Sequence, residues 1–587
     1  MTTTTTLAAK GGAWLIEEAA PESVFTPERL TEEHRLIGQT ANEFMTAEVL
    51  PAIERLEEKD WALARTLVRR CGDLGLLGTD VPEALGGVAL DKVSSVIVGE
   101  AMGRAASFAT TFGAQTGLAI TPLLCFGTDD QQKRYLQKLV SGEMVGAYAL
   151  SESGSGSDAL GAKTRATRQP DGGFRLSGEK MWITNGGFAD LFIVFAKVGG
   201  EEFTAFLVER GFDGVSTGKE EHKLGLHGSS TTPLILQEAH VPAANVLGEI
   251  GKGHKVAFNV LNYGRFKLAA MCSGGARRVI GEAASYAVQR KQFGKSIATF
   301  GAIRHKLGEM AIREYAIESM LYRTAGLIDA TLEGELTPAA VLATLEELAI
   351  EASILKVAAS EMLDFLLDEN VQIHGGNGFV RDYPAERHYR DARVNRIFEG
   401  TNEINRLLVP GMLARRAVKG GLPLIAAARK LQDEILTPSL PEPPGDALLD
   451  SERRAVAAMK KVALMALGTA MQTFGEQLTD EQEVLSTIAD IVIDVYAAES
   501  VVLRAVSAES SSKTATLQQD AAAVFVTDAA GRVELAARTA LSAMAEGDNL
   551  RTLLAALRRI LKPAPVNTVA LRRRVADAVA AGRGYPF

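Results

Sequence analysis

The stretch Leu191-Phe192-Ile193-Val194-Phe195-Ala196-Lys197-Val198 interrupts a chain that is otherwise patterned mostly as helix. Similar short apolar or alternating runs occur at residues 203–208 and 233–236, and Gly, Asp and Ser turns divide them. Runs of this kind between turn residues are typical of β-strands. The sequence therefore predicts a small antiparallel β domain over residues 146–260.

Helical patterns lie on both sides of this domain. Before it, apolar residues recur three to four positions apart, as at Leu36, Ile37 and Phe44, which indicates amphipathic helices. After it, long helical patterns return in residues 261–419. We therefore predict an N-terminal helical domain (residues 1–145) and a second helical domain (residues 261–419), in an α+β, mostly helical fold.

A proline-rich segment follows the second helical domain. Thr437-Pro438-Ser439-Leu440-Pro441-Glu442-Pro443-Pro444-Gly445 cannot continue a helix, because proline lacks the N–H that the helix needs. We predict a linker over residues 420–446. The remaining residues, 447–587, carry Ala, Leu and Val at helical spacing and are predicted to form an additional helical domain.

Composition narrows the class of protein. The chain has 587 residues, a formal net charge of −9 and three cysteines. The cysteines form no CxxC pair and no cluster with histidine, so we expect reduced thiols and no metal site. The negative charge disfavours nucleic acid as a partner. The threonine-rich start does not resemble a secretory signal, and no apolar run is long enough to span a membrane, so a cytoplasmic protein is expected.

One carboxylate lies beside a predicted helix start. In Arg396-Ile397-Phe398-Glu399-Gly400-Thr401-Asn402-Glu403-Ile404, apolar residues at helical spacing follow from Ile404 to Met412. Thr401 or Asn402 is therefore the predicted N-cap, which leaves Glu399 just outside the helix. This is a suitable position for a general base. An acidic residue in a solvated loop is the alternative.

Further segments, in the same order, match the signatures of the acyl-CoA dehydrogenase flavoproteins, so residues 30 to 415 resemble that family. Besides the Glu399 stretch, the matching segments are Gly75-Leu76-Leu77-Gly78, Pro82-Glu83 with Gly86-Gly87, Tyr148-Ala149-Leu150-Ser151-Glu152-Ser153-Gly154-Ser155-Gly156-Ser157-Asp158, Gly178-Glu179-Lys180-Met181-Trp182-Ile183-Thr184-Asn185, Arg290-Lys291-Gln292-Phe293-Gly294 and Gln372-Ile373-His374-Gly375-Gly376-Asn377-Gly378. Ser153 departs from the proline of many relatives. The resemblance implies that the second helical domain is a four-helix bundle and that the chain uses FAD to desaturate an acyl-CoA to trans-2-enoyl-CoA in fatty-acid β-oxidation.

The resemblance also implies the FAD contacts. They are Tyr148, Leu150, Ser151, Trp182, Ile183 and Thr184 at the isoalloxazine ring, Gly156 and Ser157 at phosphates, Arg290, Phe293, Gln372, Gly375 and Gly376 at the adenosine diphosphate part, and in addition Thr401 and Glu403. By pattern alone, a tryptophan in a strand such as Trp182 is more often a core residue. The diphosphate contacts are expected across a subunit interface, which implies a homodimer.

The same resemblance implies the substrate contacts and the base. The substrate contacts are Ser157, Asn262, Tyr263, Arg265, Phe398 and Gly400. In some branches of the family the base precedes an arginine on a helix, and here that position is Gly264, before Arg265. Glycine cannot act as a base, so Glu399 is the implied catalytic residue. It would remove the α-proton while flavin N5 accepts the β-hydride.

The C-terminal extension resembles the very-long-chain branch of the family. Small residues at Gly113, Ala114 and Gly117 either leave room for a long acyl chain or allow close helix packing. The expected electron acceptor is electron-transferring flavoprotein.

Three alternatives share this scaffold. They are an acyl-CoA oxidase, an FAD-binding interaction or assembly protein without catalysis, and a DNA-associated relative, which the negative charge disfavours.

The end of the chain is basic. Residues 551–587 hold eight basic residues against one acidic, Asp577. A basic helix can touch anionic lipid on the inner membrane face, but a solvated face or a subunit contact explains the same pattern.

Overall fold

The computed structural model of the protein describes residues 10–436, 445, 447–508 and 512–587. Helices precede and follow one large sheet, which confirms the predicted α+β, mostly helical class. The predicted linker segment 437–444 lies outside the described residues.

Short helices make up the N-terminal domain. They are α1 (Glu32–Phe44), α2 (Ile53–Glu57), α3 (Trp61–Asp73), α4 (Lys92–Gly103), α5 (Ala106–Gly113), α6 (Thr121–Phe126), α7 (Asp129–Gln131) and α8 (Gln137–Val140). Thr31 and Asp91 cap α1 and α4, because each side chain accepts an N–H from the first turn. A π-helical turn, Ala114–Ile120, joins α5 to α6.

The middle domain is a β domain, as predicted, but its sheet is mixed. The strands are β1 (Gly146–Ala149), β2 (Arg165–Arg168), β3 (Phe174–Thr184), β4 (Leu191–Val198), β5 (Glu202–Glu209), β6 (Val215–Thr217), β7 (Thr231–Val241) and β8 (Val246–Leu247). β1 and β2 both pair with β4 in parallel, while the other neighbours are antiparallel. Parallel pairing needs a long connection, which residues 150–190 provide between β1 and β4 and residues 169–190 provide between β2 and β4. The prediction of a wholly antiparallel sheet is therefore wrong.

The second helical domain is a bundle that begins with a 37-residue helix. Its elements are α9 (Gly253–Gln289), β9 (Lys291–Gln292), β10 (Lys295–Ser296), α10 (Gly301–Leu332), α11 (Pro338–Glu347), α12 (Ala349–His374), α13 (Ala385–Ala392) and α14 (Asn402–Val418). α9, α10 and α12 pack against one another, and α14 packs on α12.

Helices also form most of the rest of the chain. They are α15 (Leu424–Leu436), α16 (Asp450–Phe474), α17 (Gln482–Ser507), α18 (Ala515–Met544), α19 (Gly547–Ile560) and α20 (Thr568–Gly582). The predicted linker 420–446 is thus partly wrong, because α15 occupies residues 424–436 and packs on α16. The apolar spacing of α15 outweighs the nearby prolines.

The extension is fastened to the bundle by a buried charge. Arg504 of α17 is 1% exposed at its side chain and pairs with Glu318 of α10 at 2.6 Å and with Glu28 at 2.8 Å. Breaking a buried pair of this kind leaves an uncompensated charge and is strongly destabilising. The packing of the extension on the bundle is therefore specific.

Residues 10–16 do not pack with the rest of the predicted N-terminal domain, residues 1–145. The N–H of Gly12 and the indole N–H of Trp14 both donate to Glu351 of α12, at 2.7 and 2.9 Å. The Trp14 ring lies 4.7 Å from the ring of Tyr496 on α17. The described part of this segment therefore packs between the bundle and the extension.

The basic residues at the C-terminal end face partly inward. Arg572 pairs with Glu309 of α10 at 2.8 Å and also with Asp528 of α18. Arg574 pairs with Asp520. These side chains hold α20 against its neighbours, so the structure does not support the suggested membrane contact. In the part of the chain that the structure describes, no helix is long and apolar enough to cross a membrane.

Candidate active site

Glu399 lies on a tight turn at the start of α14. Thr401 is the N-cap, because its hydroxyl accepts the Ile404 N–H at 3.3 Å. Glu399 and Gly400 have φ values of +57° and +78°. Positive φ is unfavourable for glutamate, so the surrounding structure must hold this conformation.

Two side chains hold the turn by its carbonyl groups. The Arg265 Nε donates to the Glu399 carbonyl at 3.1 Å. The Asn405 amide donates to the carbonyls of Gly400 and Thr401 at 2.9 and 3.0 Å. Because the carbonyls are fixed from α9 and α14, the direction of the Glu399 side chain is fixed too.

The Glu399 carboxylate lies against α9 at Gly264, where the helix has no side chain. A Cβ atom on Gly264 would be 2.5 Å from Glu399 Oε2, so no other residue fits there without moving the carboxylate. Oε2 is buried and has no hydrogen-bond partner in the described part of the chain. A buried, unpaired carboxylate oxygen is costly for the fold and indicates a functional role.

Burial raises the pKa of Glu399 to about 7, although Arg265 and Lys356 act in the opposite direction. Lys356 of α12 is fully buried, and its ammonium donates to the Asn402 side chain at 2.6 Å. Burial likewise lowers the pKa of Lys356 to about 8. The carboxyl can thus gain or lose a proton near neutral pH.

A cavity extends from Glu399 along α9, and the space between atoms in it, counted together with the solvent at its opening, is about 970 Å³. Its wall opposite α9 consists largely of small residues, namely Gly103, Ala106, Ala109, Gly113, Ala114 and Gly117. A Cβ atom on Gly117 would meet no atom within 4 Å. Of the small residues singled out in the sequence, Gly117 therefore leaves open space, whereas a Cβ atom on Gly113 would lie 3.1 Å from the Met271 side chain.

The predicted isoalloxazine contacts lie on β1, just after it and at the end of β3, and these two strands contact each other. Trp182 is 55% exposed and has a φ of +58°, within an irregular pairing of β3 with β7. Thr184 lines the same cavity as Glu399, while Ile183 and Leu150 are buried. The hydroxyl of Tyr148 is buried with no partner among the residues described. An exposed tryptophan on strained backbone suits a planar ligand better than a core position.

The loop after β1 is fastened at its base and open at its tip. The Ser151 carbonyl accepts the Met181 N–H at 2.9 Å. The Glu152 carboxylate accepts the Lys180 ammonium at 2.7 Å, and both side chains are buried. Beyond them, Gly156 and Ser157 are exposed, and a Cβ on Gly156 would meet nothing. The two predicted phosphate contacts are therefore accessible.

The predicted diphosphate contacts form a separate exposed group. Arg290 ends α9, and Phe293 on the β9–β10 turn is 93% exposed. Gln372, Gly375 and Gly376 are exposed at the end of α12, where neither glycine would meet an atom with a Cβ. These residues leave a surface that a ligand or a second subunit can approach.

The other predicted contacts differ in position. Phe398 lines the cavity beside Glu399, and Asn262 accepts a hydrogen bond from Arg265 at 2.9 Å. Tyr263 points elsewhere, because its hydroxyl bonds to Asp80 and lies 3.2 Å from Ser95 in the core. Glu403 is exposed.

Sequence reasoning missed Lys356 and Asn405, which act on the Glu399 turn. A lysine inside the apolar pattern of α12 was a usable signal, since lysine is almost never fully buried without a partner. Asn405 carried no comparable signal. The charged residues Arg104, Arg278 and His388, which also line the cavity, were missed because they lie far apart in sequence.

Four sequence profiles of acyl-CoA dehydrogenase domains match the chain. The N-terminal domain profile matches residues 31–143 and the middle domain profile residues 147–239. Two C-terminal domain profiles match residues 251–413 and 458–559. The second of these matches lies in the extension.

Two known proteins are similar to this chain over almost its whole length, and a third is similar to part of it. The chain is 47% identical over 587 residues to a probable acyl-CoA dehydrogenase of Bacillus subtilis (strain 168), with 98% of each chain covered. Its structure is similar to that of an acyl-CoA dehydrogenase complexed with FAD from Bacillus anthracis, with a TM-score of 0.97 and 47% identity over 99% of this chain and 100% of that one. It is also 40% identical over 369 residues to the human mitochondrial very long-chain specific acyl-CoA dehydrogenase, covering 61% of this chain and 53% of that protein.

We expect Glu399→Gln to stabilise the protein increasingly as pH rises. The raised pKa of Glu399, about 7 against an ordinary 4.5, means that the folded state holds a proton that the unfolded state releases. The free energy of unfolding of the wild type therefore falls between about pH 4.5 and 7. At pH 8 the free energy of unfolding of Glu399→Gln should exceed that of the wild type by about 1–3 kcal/mol. Thermal unfolding of the FAD-bound proteins between about pH 5 and pH 8 measures this. The exposed Glu534→Gln on α18 is the control, and a Glu399→Gln difference that does not change with pH contradicts the prediction.

Proposed function

The chain belongs to the acyl-CoA dehydrogenase family of FAD-dependent oxidoreductases, and we propose that it desaturates the Cα–Cβ bond of long-chain acyl-CoA thioesters, with Glu399 as the base. The observation that carries the proposal is Oε2 of Glu399, which is buried at a cavity lined by small residues and has no hydrogen-bond partner among the residues described. FAD supplies the acceptor for the hydride that leaves Cβ, a task that no side chain performs.

The residues present fit a flavin. Trp182 is exposed in a strained conformation, the Tyr148 hydroxyl is buried without a partner in the described chain, and Thr184 faces the cavity. We infer that these residues hold the ring beside Glu399. The open loop at Gly156 and Ser157 would hold phosphates through backbone and hydroxyl groups.

Glu399 is suited to take the α-proton. A carboxylate deprived of water is a stronger base than one in solution. The cations Arg265 and Lys356 oppose this effect of burial, so that a useful fraction of the carboxyl remains ionised near neutral pH. Matching the pKa of a base to the working pH favours proton transfer.

The backbone of the same turn can stabilise the product of that step. The N–H of Glu399 bonds to no acceptor in the described part of the chain. We propose that it donates to the thioester oxygen as negative charge develops there. The carbonyl of Glu399 is held by Arg265, so this N–H is already oriented.

The cavity supports a long acyl chain. Lining positions on α9 run from Gly264, next to Glu399, to Arg278, 14 positions later. At a rise of about 1.5 Å per residue this is about 21 Å. An extended acyl chain advances about 1.3 Å per bond, so we propose an acyl group of about 16 carbons for this length.

Two partners complete the proposal. The exposed residues at Phe293 and the end of α12 would contact the FAD of a second subunit, which makes the enzyme a homodimer. We propose electron-transferring flavoprotein as the acceptor, on the family resemblance. An oxidase would instead pass its electrons to oxygen.

The first test is anaerobic titration of the purified FAD-bound protein with acyl-CoAs of increasing length. Wild type should lose its flavin absorbance when long-chain acyl-CoAs are added. Glu399→Gln should lose it about 10²- to 10⁴-fold more slowly, because the base is missing. Bound FAD that no acyl-CoA bleaches would overturn the proposed activity and favour the interaction protein.

Gly264→Ala should also suppress the reaction. The new Cβ would be 2.5 Å from Glu399 Oε2, so the carboxylate must move, and we expect a loss of about 10²-fold or more. Gly281→Ala on the same helix is the matched control, since its Cβ has only one neighbour, at 3.5 Å. Stopped-flow flavin reduction measures both variants. Equal rates for wild type and Gly264→Ala contradict the assigned base.

Gly117→Leu should shorten the acceptable chain. The leucine would occupy open space in the cavity wall, so kcat/KM for a 16-carbon acyl-CoA should fall about tenfold or more relative to a short one. Gly531→Leu, on the exposed face of α18, controls for the cost of a leucine in a helix. If kcat/KM of Gly117→Leu falls equally for the 16-carbon and the short acyl-CoA, the long chain does not pass Gly117.

A further inference from the structure

The cavity ends in charged groups although most of its length is apolar. Arg104, Arg278 and His388 line it together with Gly103, Gly275 and Leu363. Arg278 lies about 21 Å along α9 from Gly264, which contacts the Glu399 carboxylate. The terminal group of a long bound chain would therefore reach the part of the cavity that Arg104 and Arg278 line.

The Glu282 carboxylate near these groups is ionised and interacts with both Arg278 and His388. Glu282 accepts the Arg278 Nε at 2.9 Å and lies 3.3 Å from the His388 Nε2. Burial opposes ionisation, but His388 and Arg278 lower the pKa of Glu282 to about 2. Glu282 therefore neutralises one positive charge of the group.

Arg104 adds a second cation that no acid balances. Its Nη1 donates only to neutral acceptors, on Asn42 and Thr46. No carboxylate among the described residues lies within ion-pair distance of it, and Arg278 is close enough to repel it. The end of the cavity therefore carries an excess of at least one positive charge.

The remaining cation of the lining does not share this end. Lys267 also lines the cavity, but its ammonium lies 4.9 Å from the centre of the Tyr263 ring and interacts with Asp80. The excess charge is thus specific to the Arg104 and Arg278 end.

We propose that this end binds a terminal carboxylate, so that the preferred substrates are long-chain acyl-CoAs with a carboxylate at the ω end. The inference rests on the proposed dehydrogenation. A methyl terminus placed here would remove water from Arg104 and Arg278 without replacing it, whereas a carboxylate would form charge-assisted hydrogen bonds to both.

The geometry makes the preference dependent on chain length. A chain of about 16 carbons brings its terminus to Arg278 by the spacing of α9. A chain of about eight carbons would leave a carboxylate in the apolar part of the cavity, where an unpaired charge is costly. The ω-carboxylate should therefore favour long substrates and disfavour short ones.

The experiment compares ω-carboxy and ω-methyl acyl-CoAs of about 8 and 16 carbons with the FAD-bound enzyme. Anaerobic flavin reduction gives kcat/KM for each pair, and calorimetry gives the affinity of analogues with sulfur in place of Cβ, which cannot be dehydrogenated. In wild type we expect the ω-carboxylate to raise kcat/KM about tenfold or more at 16 carbons, because a hydrogen bond to a charged group contributes a free energy of about this size. At eight carbons we expect the ω-carboxylate to lower kcat/KM. Arg104→Met should reduce the ratio at 16 carbons about tenfold, and Arg551→Met, an exposed arginine of α19, should leave it unchanged.

The outcomes separate the two proposals. Flavin bleached by ω-methyl chains, with no ω-carboxylate advantage at 16 carbons, would overturn this inference and leave the dehydrogenase standing. An advantage that persists in Arg104→Met would also overturn it. If no acyl-CoA bleaches the flavin, the proposed function fails, and equal affinities of the two 16-carbon analogues would then overturn the inference on their own.

Discussion

No described residue forms a hydrogen bond with Oε2 of the Glu399 carboxylate, which occupies a space that exists only because residue 264 has no side chain. Much of the surrounding structure serves this one arrangement. Arg265 and Asn405 hold the carbonyls of the turn, Thr401 caps the helix that follows, and Lys356 supplies positive charge from α12. Each contact compensates in part for a left-handed glutamate and a buried acid, both of which oppose folding.

The same arrangement explains how the helical and β domains meet. The base comes from the bundle, while the exposed Trp182 and the loop after β1 come from the sheet. The cavity wall comes from α5 and the π-helical turn of the N-terminal domain. Three domains therefore contribute to one site, and π-helical turns are frequent at such sites. A change in the position of any one domain would alter the distance between base and substrate.

Local patterns predicted the parts of the site that depend on local structure. A cap at Thr401 or Asn402 followed from the apolar spacing of α14, and the structure places it at Thr401. The small size of Gly117 allowed either open space or close helix packing, and the structure shows open space. The strand character of residues 191–198 also follows from the apolar run. The parallel pairing of β1 with β4 could not be predicted, because it depends on the path of the loop between β1 and β2. Asn405 and the charges at the end of the cavity are brought together only by helix packing, for which one sequence holds no signal. Lys356 differs, because a lysine inside the apolar pattern of α12 could have been noticed.

Glu28 and Arg504 join regions that are 476 positions apart in the chain. Trp14 likewise bonds to Glu351, 337 positions later. During synthesis, the N-terminal segment leaves the ribosome long before its partners on α12 and α17 exist. Chains are made at roughly 5–20 residues per second, and domains usually fold in the order in which they emerge. This segment must instead wait tens of seconds, so its docking is a late event that closes the assembled bundle and extension from the opposite end of the chain.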